Sequence, residues 1–165
     1  MDRIEIRKAE ITDIDAILSV LDAARGFMRR TGNMSQWGNG YPSRDCIMAD
    51  IAAGNSYVGV DAAGDIVMSF AFIIGEDPTY SIIEDGAWLN DSPYGTIHRI
   101  GSTGKHSGMM VHCVDFCMQY VDNLRLDTHE DNKAMLEAVR RLGFVRCGVI
   151  YCQDGTPRLA FQKVK

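Results

Sequence analysis

Ile97–Met110 reads IHRIGSTGKHSGMM, a strand that leads through Gly101, Gly104 and Gly108 into an amphipathic helix. Glycines let a backbone approach an anion closely, and a helix start offers unpaired N–H donors and the positive end of its dipole. Lys105 and His106 add side-chain donors at the same place. The segment suits a phosphate or pyrophosphate, and it equally suits an ordinary strand–turn–helix corner. Two familiar phosphate motifs do not fit it. A P-loop requires a glycine five residues before the Gly-Lys pair and a Ser or Thr after it, where Arg99 and His106 stand. The dinucleotide fingerprint GxGxxG fails on spacing, because the glycines run Gly-x-x-Gly-x-x-x-Gly.

Working outward, Thr96–Ser102 alternates as a strand, and the helix after the turn extends to about Tyr120. Met110, Cys113, Val114, Cys117 and Val121 form one apolar stripe on that helix and are assigned to the core. Leu124–Asp127 is a short buried strand. Asp131–Leu142 is a helix with Met135, Leu136, Val139 and Leu142 on one face, ended by Gly143. Phe144–Tyr151 and Arg158–Lys163 make a closing hairpin around Asp154–Gly155. Upstream, Arg3–Lys8 is a strand. Thr12 is placed to cap a helix that starts near Asp13 and fades by Arg30. Thr31–Pro42 is a Gly- and Asn-rich loop, and Ser43–Ala53 a second helix. Tyr57–Asp61 and Asp65–Ile74 are strands joined at Ala62–Gly64, and Glu76–Tyr94 is irregular with a short helix near Tyr80. The class is mixed α/β around one central sheet.

The chain has 165 residues, 46% hydrophobic and 24% charged, within the range of about 100–200 expected for one domain. A single domain over residues 1–165 is expected. A chain of this size buries roughly 70% of the surface its unfolded form exposes, so it needs no metal or disulfide staple. The five cysteines are scattered and include no CxxC pair. Cys113 and Cys117 have a spacing that could hold a metal, but buried core thiols are the better reading, so no metal is expected. The N-terminus MDRIEIRKAE is charged and lacks an apolar signal core. The longest nearly continuous apolar run, Ile66–Ile74, is far shorter than the ~20 residues of a membrane-spanning helix. A reducing, cytoplasmic setting without membrane contact follows as the expectation. A net charge of −5 with no basic stripe argues against nucleic acid. It would steer a cationic acceptor such as an amine, or merely aid solubility.

The C-terminal half carries a family resemblance. Its order of strand, Gly-rich turn, helix, strand, Asn-containing helix, Leu-Gly-Phe and strand resembles the GNAT N-acetyltransferases. Lys105-His106-Ser107-Gly108-Met109-Met110 resembles that family's (Gln/Arg)-x-x-Gly-x-(Gly/Ala) turn, with Lys105 keeping a donor and Met110 replacing the small final residue. Asn132 through Leu142-Gly143-Phe144 looks like the family's Asn-helix and Gly-Phe ending. Ile6-Arg7-Lys8-Ala9 with Thr12-Asp13 is similar to its opening strand and helix.

The resemblance implies a GNAT-like fold: a central, mostly antiparallel sheet flanked by helices and splayed between the Ile97–Ser102 and Leu124–Asp127 strands. It also implies acetyl-CoA as co-substrate, its pantetheine arm pairing with backbone near Ile100, Gly101 and Ser102 as an added strand. Residues Lys105, His106, Ser107, Gly108, Met109 and Met110 would hold the pyrophosphate, and Asn132 would bond either the cofactor or a neighbouring backbone. The implied reaction is acetyl transfer to a primary amine by direct attack in a ternary complex. The amine would belong to a small molecule or a peptide. A non-catalytic acyl-CoA-binding module with an eroded site is the alternative, prompted by the departures at Met110 and in the Asn132 helix; an unrelated α/β domain is a third reading. A homodimer is left open.

Single residues carry candidate roles within that frame. His98, beside the implied thioester, is a candidate general base or a structural histidine. Strand alternation puts His98 and Ile100 on one face, with Ile97 and Arg99 on the other. Many relatives place a Tyr four residues before the Gly of Gly-Phe, to protonate the departing thiolate; Val139 stands there. Tyr151, whose hydroxyl would reach back toward the splay, and Ser102 are the substitutes, with water as a third option. Trp37, Tyr41, Trp88 and Tyr94 lie in the two irregular stretches, where their rings form an acceptor wall or anchor loops. Glu84 or Asp85 would meet a cation.

Overall fold

The computed structural model describes all residues from Met1 to Lys165. Seven strands form one sheet in the order β1-β2-β3-β4-β5-β7-β6, comprising β1 (Glu5–Lys8), β2 (Ser56–Val60), β3 (Ile66–Ile74), β4 (Gly95–Ser102), β5 (Asn123–Thr128), β6 (Val145–Tyr151) and β7 (Pro157–Val164). Every neighbouring pair is antiparallel except β4 and β5. This is the mixed, mostly antiparallel α/β architecture that the sequence implies.

The four helices are α1 (Ile14–Arg30), α2 (Arg44–Ala52), α3 (Met109–Cys117) and α4 (Lys133–Arg141). Strand alternation sends neighbouring residues to opposite faces, so Val58 joins a cluster with Ile17, Leu21, Ala24 and Ile47 of α1 and α2. Tyr57 beside it packs instead on the larger cluster, in which Phe70, Phe72, Leu124 and Leu126 meet Cys113, Val114 and Cys117 of α3 and Val139 of α4. Cys113 and Cys117 are therefore core residues, and burial pushes the Cys113 thiol up. All five cysteines are free. No helix is long and apolar enough to cross a membrane.

Local chemistry sets the helix ends. Ser43 caps α2, its hydroxyl accepting from the Cys46 N–H at 3.1 Å. Asn132 caps α4 in the same way, through the Met135 N–H at 3.2 Å. Gly143, at φ +80°, ends α4, and Phe144 is buried behind it. Thr12, expected as the first cap, does not cap. The chain enters α1 through a 3-10 turn at Ile11–Asp13, where the Asp13 carboxylate accepts from the Glu10 N–H at 2.8 Å. The same carboxylate takes two hydrogen bonds from Arg7 of β1, which fixes strand and helix together.

Candidate active site

The site begins with a break in the sheet. β4 and β5 pair at only two positions, Gly95 with Leu124 and Thr96 with Arg125, and then diverge. From Ile97 onward the β5-facing edge of β4 is open. The divergence forms a cavity of about 620 Å³. Ile97–Ile100 of β4 line one side and Leu126–Thr128 of β5 the other. The 35–41 loop, the start of α4 and the β6–β7 hairpin complete it.

A bulge in β4 decides what faces this cavity. Ser69 pairs with Gly101 and Ala71 with His98, so one residue of β3 faces two of β4. Arg99 takes the extra place at φ +51°. The expected alternation is broken there. Ile97 and Ile100 both pack on the α3/α4 cluster, while consecutive His98 and Arg99 reach Asp77 and Asp50.

The His98 ring Nε2 lies 2.6 Å from Asp77 Oδ2. Asp77 Oδ1 accepts from the N–H and hydroxyl of Thr79 at 2.9 and 2.7 Å, and the Asp77 N–H donates to the Tyr94 hydroxyl. Burial alone would raise the Asp77 carboxyl, but His98 and Thr79 outweigh it and hold it down at about 2. The Tyr80 ring stands 6.1 Å from the His98 ring, centroid to centroid, and its hydroxyl donates to Asp127 Oδ2 at 2.7 Å. Burial, reinforced by Asp127, raises that phenol well above its usual value and keeps it a donor.

Arg99 is held by both oxygens of Asp50 from α2, at 2.8 and 2.7 Å, and donates to the Tyr41 hydroxyl. Burial lowers the guanidinium, yet the Asp50 and Tyr41 contacts leave its pKa raised, so Arg99 is spent on structure. Trp37 is buried on the cavity wall, its carbonyl accepting from Arg25 and Arg29. Its loop bridges the opening: Ser35 meets His129 Nε2 at 3.3 Å, and Gln36 Oε1 accepts from Asn132 Nδ2 at 3.3 Å.

Beyond β4, the backbone N–H groups of His106, Ser107, Gly108, Met109 and Met110 have no hydrogen-bond partner within the protein. Gly108 occupies the α3 N-cap at φ +74°. A pyrophosphate fits this donor set. The Lys105 and His106 side chains, expected as further donors, are engaged by carboxylates here. Lys105 Nζ pairs with Asp61 and Asp65 at 2.7 and 2.9 Å; His106 sits between Asp61 and Asp2 at 2.9 and 2.7 Å. Carboxylates of the β2–β3 turn and the N-terminus have already neutralised them. Gly101 has a packing reason to be glycine, since a Cβ there would lie 2.9 Å from that of Ala24 in α1.

Three further expectations are corrected. Tyr151 does not reach the splay: it is exposed, and its hydroxyl donates to Glu84 at 2.8 Å. Glu84 and Trp88 are not on the cavity wall. Glu84 exchanges backbone hydrogen bonds with Val149, while Trp88 donates to the Tyr80 carbonyl and covers the Arg125 guanidinium, which also lies on Tyr94. Ser102, at the end of β4, lies outside the cavity lining and pairs with Met68. Asp77 is a site residue outside those expected from the sequence, although Asp77-Pro78-Thr79 is a recognisable capped turn.

A splayed mixed sheet, an unpaired β4 edge and a strand–turn–helix donor set are the arrangement that the resemblance to the GNAT acetyltransferases implies. Comparison with solved structures agrees. An acetyltransferase of the GNAT family from Streptococcus agalactiae is 33% identical over 98% of this chain and 95% of its own, with a TM-score of 0.88. The chain belongs to the GNAT family and is an acetyltransferase. A GNAT acetyltransferase from Listeria monocytogenes shares the fold at 20% identity and a TM-score of 0.73, covering 98% of this chain and 95% of that one. A Corynebacterium glutamicum protein, described as histone acetyltransferase HPA2 and related acetyltransferase, does so at 24% identity and 0.62, covering 99% and 97%. No protein-family model and no curated protein matches the sequence.

Proposed function

We propose that the enzyme transfers the acetyl group of acetyl-CoA to a primary amine by direct attack in a ternary complex. The observation that carries this reading is the open edge of β4 beside His98, continuous with the unpartnered N–H groups at His106–Met110. An extended pantetheine arm would pair with the backbone of Ile100–Ser102 as an additional strand, and the α3 start would take the pyrophosphate. His98, oriented by Asp77, would accept the proton that an ammonium must lose before it attacks. The cavity offers no buried tyrosine to the departing thiolate. A thiol of this kind ionises near 8.5, so water suffices as the acid at neutral pH. The five free cysteines suit a reducing, cytoplasmic setting.

Isothermal titration with acetyl-CoA tests the first half of the reading, with 1:1 binding expected. Thiol release during a screen of primary amines tests the second half. Binding without thiol release from any amine would overturn the assignment of an amine acceptor.

A further inference from the structure

Two ion pairs stand among the charged groups of the cavity. Asp77 is matched by His98 and Arg99 by Asp50. Asp154 and Arg158 lie together at the mouth on the β6–β7 hairpin, where Arg158 lowers the Asp154 carboxyl after the Thr156 hydrogen bonds do. Asp127, inside on β5, has no cationic partner. Its Oδ2 accepts from Tyr80, and its Oδ1 has no hydrogen bond at all. The adjacent Thr128 is 2% exposed and lines the same cavity, and its hydroxyl is also without a partner. Strand alternation turns the Thr128 hydroxyl to the opposite face from Asp127, so it is the half-open Asp127 carboxylate, with one oxygen unpartnered in the cavity, that marks a place for a cationic ligand.

The ligand's chemistry follows from the position. Asp127 shares the Tyr80 side of the sheet with His98, with the Tyr80 ring lying next to both. Met28, Trp37 and Ile150 line the cavity around them and suit a short methylene chain. We infer that the acceptor is a diamine or an amine with a second cationic group: one amine reacts beside His98 while the second, as an ammonium, is held by Asp127 Oδ1. This rests on the amine-acceptor reading above and specifies its substrate class.

The test compares three acceptors of four carbons each with acetyl-CoA, following thiol release: 1,4-diaminobutane, 1-aminobutane and 4-aminobutanoate. The diamine should exceed 1-aminobutane in kcat/KM by at least about fivefold, as a partly screened ion pair allows. The advantage should shrink with added salt, and 4-aminobutanoate should be the poorest of the three. In Asp127→Asn, which keeps the shape, the diamine-to-monoamine ratio should fall toward one. Equal rates for the diamine and monoamine in the wild type, or a preference for 4-aminobutanoate through Arg158, would overturn the inference while leaving the amine reading intact. No turnover of any of the three, nor of any other primary amine, would overturn both. The wild-type series decides the matter even if Asp127→Asn does not fold.

Discussion

His98 Nε2 and Asp77 Oδ2 stand 2.6 Å apart although 21 residues separate them in the chain. Thr79 and Tyr94 hold Asp77 in turn, so the imidazole at the open edge of β4 has a fixed orientation. A base positioned in this way should matter to turnover more than to binding. His98→Ala is expected to lower kcat by about 10²–10⁴-fold. Asp77→Asn should cause a smaller loss, with the KM for acetyl-CoA nearly unchanged in both. Steady-state thiol release checks this. Near-wild-type kcat in both variants would make the pair purely structural.

Asp50 secures the neighbouring bulge. Its side chain and that of Arg99 are 12% and 14% exposed, and removing one charge leaves the other buried alone. Asp50→Ala should cost about 3 kcal/mol of stability, read as a drop in Tm or in urea midpoint. Because Arg99 adjoins His98, kcat should fall as well.

Gly108→Ala tests the anion site. The position has φ +74°, where a side chain costs about 1–2 kcal/mol, and the new Cβ would lie 3.1 Å from Met1 Sδ. The Kd for acetyl-CoA should rise about tenfold, equivalent to about 1.4 kcal/mol. Ser107→Ala should change it little, since only the backbone N–H of Ser107 is called upon. Unaltered affinity in Gly108→Ala would place the pyrophosphate elsewhere.

The clamp on the N-terminus predicts a pH effect. Hydrogen bonds that His106 donates to Asp61 and Asp2 raise it above its usual 6.5. A group raised by folding stabilises fully below its unfolded value, and that share is lost as pH rises through the folded one. Asp61, held well below the usual carboxylate range by Lys105 and His106, works in the opposite direction and gives way only in strong acid. The Tm gap between wild type and His106→Gln should therefore be widest just below the unfolded value of 6.5 and narrow as pH rises above it. Thermal melts across that range show it; a constant gap would mean that the contact is not proton-linked.

Tyr151→Phe should leave kcat near the wild-type value. The lost hydroxyl bonds only Glu84 at an exposed edge, so stability should change little. A large fall in kcat would return Tyr151 to the reaction.

The sequence alone was enough for the order and kind of the elements. Helix faces such as Ile14, Ile17 and Leu21 and the stop at Gly143 depend on neighbours three or four residues away, and so can be read along the chain, whereas the cap expected at Thr12 gave way to the Asp13 turn. The glycine-spaced turn before α3 was legible for the same reason. Only the tertiary structure decided which side chains share the cleft. The bulge that turns His98 and Arg99 away from Ile97 and Ile100 arises from the pairing of β4 with β3, a register that no local pattern specifies. Ion partners followed the same logic. Lys105 and His106 looked free for phosphate, yet Asp61 reaches them from more than 40 residues away. Glu84 and Trp88 shared an irregular stretch with Asp77 and Thr79, but the sheet drew them to β6 and Arg125 and left Asp77 and Thr79 at the site. Charges and rings take whichever partner the fold brings within a few ångströms, and that distance is set by the whole sheet rather than by spacing in the chain.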